Sequence, residues 1–119
     1  MTTRRNARPK RIAELNDKLR REPLNRRLGQ VLVSAGIAAE GETFKAETLT
    51  KLAAMTPKDF KKGNDPYGER DFNSFSVGGR LCFFKIDYYA KGDLRLASDD
   101  PADPSKTERV MTIMLADEY

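Results

Sequence analysis

Three carboxylates, Asp65, Glu69 and Asp71, crowd into seven residues, and a fourth, Asp87, follows in an aromatic-rich run. Grouped carboxylates suit two kinds of chemistry. They share acid and base roles, or they hold a hard divalent cation through oxygen ligands. Their spacing does not reproduce a calcium-binding loop, which needs a denser ladder of oxygens. The plain alternative is structural: Asp65 caps a turn, and Asp87 pairs with Arg70 or Lys85 across a sheet.

Other chemistry is thinly represented. The chain contains no histidine, which removes the commonest metal ligand and the usual proton shuttle near neutral pH. Triads of the Ser-His-Asp kind and His-based zinc sites are therefore excluded. Ser34, Ser74, Ser76 and Ser98 have no histidine base, and none lies in a Gly-x-Ser-x-Gly elbow. Cys82 is the single cysteine, set among apolar neighbours where a buried inert thiol is expected. Gly78-Gly79 is followed by no Lys-Ser/Thr pair, so it reads as a turn rather than a phosphate loop. No catalytic residue, cofactor or metal is assigned.

The elements that position these residues are read from periodicity and punctuation. Ile12, Leu15 and Leu19 fall at helical spacing between Pro9 and Pro23, giving a first helix from about Pro9 to Arg21. Leu28 to Ser34 reads as a strand, stopped by Gly36. Lys45 to Met55 reads as a second helix, with Thr43 as its cap and Thr56-Pro57 as its end. Asp65-Pro66-Tyr67-Gly68 has the composition of a type I turn.

The clearest signal is a hairpin, Phe72 to Val77 and Arg80 to Tyr89, joined by Gly78-Gly79. A two-residue turn sets the register: Val77 opposite Arg80, Phe75 opposite Cys82, Phe72 opposite Lys85. One further pair would put Arg70 opposite Asp87. Alternation then places Cys82, Phe84, Ile86 and Tyr88 with Phe75 and Val77 on the core face, and Phe83, Lys85, Asp87 and Tyr89 on the other. With Tyr67, this second face mixes aromatics and charges in the manner of an interaction surface, unless a helix covers it. Ala90 to Lys106 reads as a long connection, a type of segment that is often functional. Glu108 to Leu115 is apolar in either period, and its β-branched content favours a strand.

The fold class is therefore α+β: a small antiparallel sheet of three or four strands with two helices, in the order α-β-α-β-β-β. Residues 11–119 form a single domain behind a flexible basic tail, residues 1–10. Hydrophobic residues make up 39% and charged residues 34%, enough for a modest core and too apolar for a wholly disordered chain. No apolar run spans a bilayer and no secretory leader is visible, so a cytoplasmic protein without a membrane partner is expected.

The net charge of +4 is unevenly spread. Residues 1–30 hold ten Lys/Arg against three Asp/Glu, and the remainder is mildly acidic. Arg4, Arg5, Arg8, Lys10, Arg11, Lys18, Arg20, Arg21, Arg26 and Arg27 form a candidate sequence-independent nucleic-acid contact, since such cations displace condensed counterions. No aromatics are interleaved for base stacking. The bland reading is a solvated charged face.

At Asn64-Asp65-Pro66-Tyr67-Gly68-Glu69-Arg70-Asp71-Phe72 the chain begins to resemble a known family, and Ile12-Ala13-Glu14-Leu15-Asn16-Asp17 and Gly29-Gln30-Val31 also fit it. The likeness continues through Lys85-Ile86-Asp87-Tyr88-Tyr89, Ser98-Asp99-Asp100-Pro101-Ala102-Asp103-Pro104 and Arg109-Val110-Met111-Thr112-Ile113-Met114-Leu115-Ala116, and closes with Glu118-Tyr119. It resembles a domain family of unknown function, found in short alphaproteobacterial proteins often carried on plasmids and prophages. Phe84 stands where that pattern often has Trp, and Arg70 where it has His. The resemblance carries over no activity. It implies a mobile-element setting, where small proteins that bind a host or phage protein, such as anti-restriction and anti-CRISPR proteins, are common. The protein-interaction candidates are Asp65, Tyr67, Glu69, Arg70, Asp71, Phe83, Lys85, Asp87 and Tyr89.

Overall fold

The computed structural model describes residues 2–119, with side chains described from Arg8 onward. The elements are α1 (Thr2–Arg21), β1 (Gly29–Val33), α2 (Ala35–Ala39), α3 (Glu42–Ala54), β2 (Phe72–Val77), β3 (Arg80–Ala90), β4 (Asp93–Ala97) and β5 (Thr107–Leu115). Short 3₁₀ turns follow α3 and β5, at Pro57–Asp59 and Ala116–Glu118.

The hairpin is the organising element. β2 and β3 pair antiparallel in the register that the Gly78-Gly79 turn dictates, with Phe72, Phe75 and Val77 opposite Lys85, Cys82 and Arg80. Both glycines adopt positive φ, 54° and 79°, a backbone that side-chain-bearing residues rarely take. β3 is long enough to be flanked three times. β5 runs along its second edge from Cys82 to Ala90, while β2 and then β4 share the first.

The sheet departs from the sequence reading in two ways. It has five strands, and it is mixed, because β1 joins β5 in parallel, Val31 against Met111. The β1–β5 connection carries the whole hairpin, a non-local pairing that local periodicity does not encode. Within the expected connection 90–106, residues 93–97 form β4. The rest is a turn system held by its own bonds, with the Thr107 hydroxyl donating to the Asp100 carbonyl at 2.8 Å. The strand expected over residues 108–115 is β5, which begins one residue earlier at Thr107.

The helices also differ in detail. α3 starts at Glu42 on Gly41 instead of a Thr43 cap, and an extra short helix, α2, is capped by Ser34, whose Oγ accepts from the Ile37 amide at 3.2 Å. α1 extends through Pro9 back to Thr2, so residues 2–10 continue the helix where a tail was expected.

One core cluster lies on one side of the sheet. Leu15 and Leu19 of α1, Ile37 of α2 and Leu52 of α3 pack on Val77, Cys82, Phe84, Ile86, Met111, Ile113 and Leu115. These strand residues all share one face by alternation. The molecule is 22 Å across its shortest dimension, the thickness of about 10 Å of helix on about 10 Å of sheet.

Gly29 lies close against β5, since a Cβ there would overlap the Arg109 carbonyl. Gly29→Ala is expected to lower stability by more than about 2 kcal/mol, measured by chemical denaturation, whereas alanine at Gly63, where a Cβ meets nothing within 4 Å, should be tolerated.

Candidate functional site

The carboxylate-rich segment and the rest of the sheet separate into two regions. The first is buried and joins α1 to the core face. Ile12, Asn16 and Arg20 follow one another at intervals of four on the same helical stripe, so two polar residues enter the interior beside Leu15 and Leu19. Asn16 Nδ2 donates to the Glu69 carbonyl at 3.0 Å and to the Tyr88 hydroxyl at 2.8 Å, while its Oδ1 accepts from Arg109 Nε at 2.9 Å. The Tyr88 hydroxyl donates onward to Glu69 Oε1 at 3.1 Å. Arg109 also donates to the Pro101 carbonyl and stacks its guanidinium on the Tyr88 ring, 5.3 Å from the centroid.

Asp17 is the anionic counterweight. It accepts two bonds from Arg70, 3.0 Å from Nε and 2.6 Å from Nη2, and a third from Arg20. Burial opposes its ionisation, but the guanidinium groups of Arg70 and Arg20 outweigh that and hold its carboxyl below the usual range. Arg20 is 1% exposed. Its Nε and Nη1 find no acceptor among the described residues, and its guanidinium lies instead against the rings of Phe60 and Phe84, at 5.0 and 5.9 Å.

This geometry corrects three expectations. Arg70 does not lie opposite Asp87: the Ile86 amide donates to the Asp71 carbonyl, and Arg70 then turns through φ 52° to reach Asp17. Arg20 is buried and is no part of a nucleic-acid surface. The four carboxylates are divided. Asp65 accepts from the Arg70 amide, Glu69 serves Tyr88, Asp71 lies at the core-face edge, and Asp87 pairs with Lys85 on the other face at 3.2 Å. Among the described residues no group of three or more Asp, Glu or Cys side chains could hold a metal ion.

The Asp71 carboxyl is pushed upward, to about 6, by burial first and then by the neighbouring charge of Glu69. Burial, with the charges of Asp71 and Glu69, also raises the Tyr88 phenol.

The second region is the opposite face of the sheet. Phe72, Phe83 and Tyr119 form a three-ring cluster, with centroids 5.2 to 5.8 Å apart. Lys85, Met114, Glu118 and Tyr119 line an open depression of about 320 Å³ beside it. Lys85, Asp87 and Tyr89 continue the face along β3, and Leu32, 47% exposed, bounds it on β1. Among the described residues no α-helix packs here. Phe83, Lys85, Asp87 and Tyr89 are thus brought together as expected, whereas Tyr67 stands 78% exposed on the 65–68 turn without a ring contact to them. Phe72, Leu32 and Tyr119 were missed as face residues. Alternation from Lys85 would have found Phe72, but Tyr119 arrives through a 3₁₀ turn that carries no periodic signal.

Glu118 anchors that turn. Its carboxylate accepts from Ser34 Oγ at 2.6 Å, the Gly36 amide at 2.9 Å and the Leu115 amide at 2.8 Å, and these bonds, Ser34's foremost, hold it below the usual range.

Of the basic candidates, Arg8 pairs with Asp100 at 2.8 Å, and Lys10, Arg11, Lys18, Arg21, Arg26 and Arg27 are exposed. Arg4 and Arg5 lie outside the described side chains. Lys91, which sequence reading passed over, donates to the Arg27 carbonyl at 3.4 Å.

A two-layer α+β domain with helices on one side of a mixed sheet, and a polar and aromatic face left open on the other, is the class defined by these features. The family model described as a protein of unknown function, DUF3768, matches residues 33–118, and the chain belongs to that family. No curated protein and no solved structure matches it.

Two stability predictions follow from the buried region. Asp17→Ala leaves Arg20 without its counter-charge and should cost about 3–5 kcal/mol in urea denaturation. Asp71 has a folded-state value raised above its unfolded one, so its contribution is fully present below about pH 4 and lost as pH rises through about 6. Asp71→Asn should therefore be more stable than wild type by about 1–3 kcal/mol at pH 8, with the gap closing by pH 4. Asp17 acts in the opposite sense, its contribution present above the unfolded value and lost on acidification.

Proposed function

We propose that this chain is a non-enzymatic protein-binding module whose working surface is the open face of the sheet. The observation that carries the reading is the one-sided placement of the helices. It leaves Phe83, Lys85, Asp87, Tyr89 and Tyr119 facing outward as a patch of aromatic anchors flanked by opposite charges. Aromatic residues supply contact area at low conformational cost, and flanking charges set orientation. The carboxylates of the 65–71 segment serve the scaffold instead: Asp65 fixes the Arg70 amide and Glu69 holds Tyr88.

The resemblance to short plasmid- and prophage-borne proteins of alphaproteobacteria supports a cytoplasmic accessory or counter-defence role, of the anti-CRISPR or anti-restriction kind, with a host or phage protein as partner. Among the described residues no helix is long and apolar enough to cross a membrane. The exposed cations around Arg26, Arg27 and Lys91 favour nucleic acid as the second reading.

Affinity capture with matched variants distinguishes the two. Wild type and Lys51→Glu, altered on α3, should retain one and the same partner, while Lys85→Glu combined with Tyr89→Ala should lose it at least roughly tenfold. Capture that survives the face variant, or that disappears on nuclease treatment, would contradict the protein-binding reading.

A further inference from the structure

Sheets that stay apart in solution blunt their free edges, because an unpaired row of amides and carbonyls is a template for another strand. Two of the three edges here are blunted by side chains. On β2 the Asn73 side chain folds back, so that its Oδ1 accepts from the Ser74 amide at 2.9 Å while its Nδ2 donates to the Asp59 carbonyl at 2.9 Å. On β4 the Asp93 carboxylate takes the Arg95 amide at 3.0 Å.

The β1 edge has no such device. Its ladder to β5 is bounded by Arg109 N–H to the Leu28 carbonyl and Ser34 N–H to the Ile113 carbonyl. Even-numbered residues therefore turn their backbone groups toward β5, and Gly29, Val31 and Val33 turn theirs outward. The Gly29 amide is taken by the Asn25 carbonyl, but Val31 and Val33 find no hydrogen-bond partner for their outward groups among the described residues. The strand Gly-Gln-Val-Leu-Val has no charge, no proline and no bulge, and Leu32 on its open-face side is 47% exposed.

We propose that the β1 edge is a self-association surface whose occupant is β1 of a second copy of this chain, paired antiparallel about a twofold axis at Leu32. This register sets Val31 opposite Val33 of the other copy, and Val33 opposite its Val31. All four unpaired donors and acceptors of each such set are then used, with none left over. It also puts Leu32 directly opposite its own copy as a non-hydrogen-bonded pair, with Cα atoms about 4.5 Å apart, burying the exposed leucine.

Charge agrees with the direction of pairing. Exposed Arg26 and Arg27, at the entry to β1, run toward the exit of the other β1, where the Glu118 carboxylate is seated on Ser34 and Gly36. A parallel arrangement would bring the two arginine pairs together. The pairing is small compared with an obligate interface, so association is weak and concentration-dependent. It joins two five-stranded sheets edge to edge and makes their open faces one continuous surface, which goes beyond the single-copy binding surface proposed above.

Disulfide trapping tests this directly. The proposed Cα spacing at position 32 suits a disulfide, and the native Cys82 is buried and does not compete. Leu32→Cys should give a covalent dimer under mild oxidation at least roughly tenfold faster than Gln30→Cys, which lies opposite Ser34 of the other copy. Sedimentation of wild type should show a monomer–dimer equilibrium, weakened roughly tenfold or more by Leu32→Arg, which sets like charges opposite each other. Amide exchange on the wild-type protein needs no variant to fold: Val31 and Val33 should gain protection as concentration rises. The proposal is overturned by a wild-type protein that remains monomeric with both amides freely exchanging, by a dimer insensitive to Leu32→Arg, or by amides protected only when a different protein is added. Loss of partner capture with self-association intact would leave this inference standing and remove only the binding reading.

Discussion

Everything in this fold depends on how α1 is fastened to the sheet. The fastening is polar as well as apolar: Asp17 holds Arg70 from the segment before β2, and Asn16 holds Tyr88 on β3 and Arg109 on β5. One helical turn thus ties together three parts of the chain distant in sequence. Burying charge of this kind gives little net stability over a well-packed apolar contact, yet breaking it is costly. What it supplies is placement. An apolar stripe alone could slide, whereas a guanidinium fork seated on a carboxylate and an amide bridging two strands fix the position of the helix along the sheet.

Placement on one face has a direct consequence for the other. With α1, α2 and α3 packed around Leu15, Leu19, Ile37 and Leu52 on the core side, no α-helix among the described residues covers Phe83, Lys85, Asp87 and Tyr89. The C-terminal turn reaches across this face, held by Glu118 and ending with Tyr119 against Phe72 and Phe83. The open face is therefore a product of the same interactions that build the core. The acidic segment 65–71 looks like a site in isolation, but it mostly serves the fastening.

Much of this was legible in the sequence where the determinants are local. The Gly78-Gly79 turn fixed a hairpin register that the structure reproduces pair by pair, and alternation from that register sorted core from open face along β3. The parallel β1–β5 pairing was not legible, since a strand's partner across an intervening hairpin is decided by tertiary packing. β4 was hidden because Asp93-Leu94-Arg95-Leu96-Ala97 sits in a polar stretch and is mostly exposed. The buried polar stripe was overlooked for a different reason. Arg20 was counted by its charge among neighbouring basic residues, although its spacing from Ile12 and Asn16 places it on the buried stripe of α1 with Leu15 and Leu19.

One sheet face is packed by helices, and the other carries the surface proposed to meet a partner. Hydroxyl-radical footprinting of the isolated protein tests it at once, because neighbouring residues on β3 and β5 point to opposite sides. Phe83, Tyr89 and Tyr119 should be oxidised readily while Phe84 and Met111, both fully buried, remain unmodified. Equal protection of Phe83 and Phe84, or oxidation of Met111 ahead of Tyr89, would contradict the one-sided architecture and the function built on it.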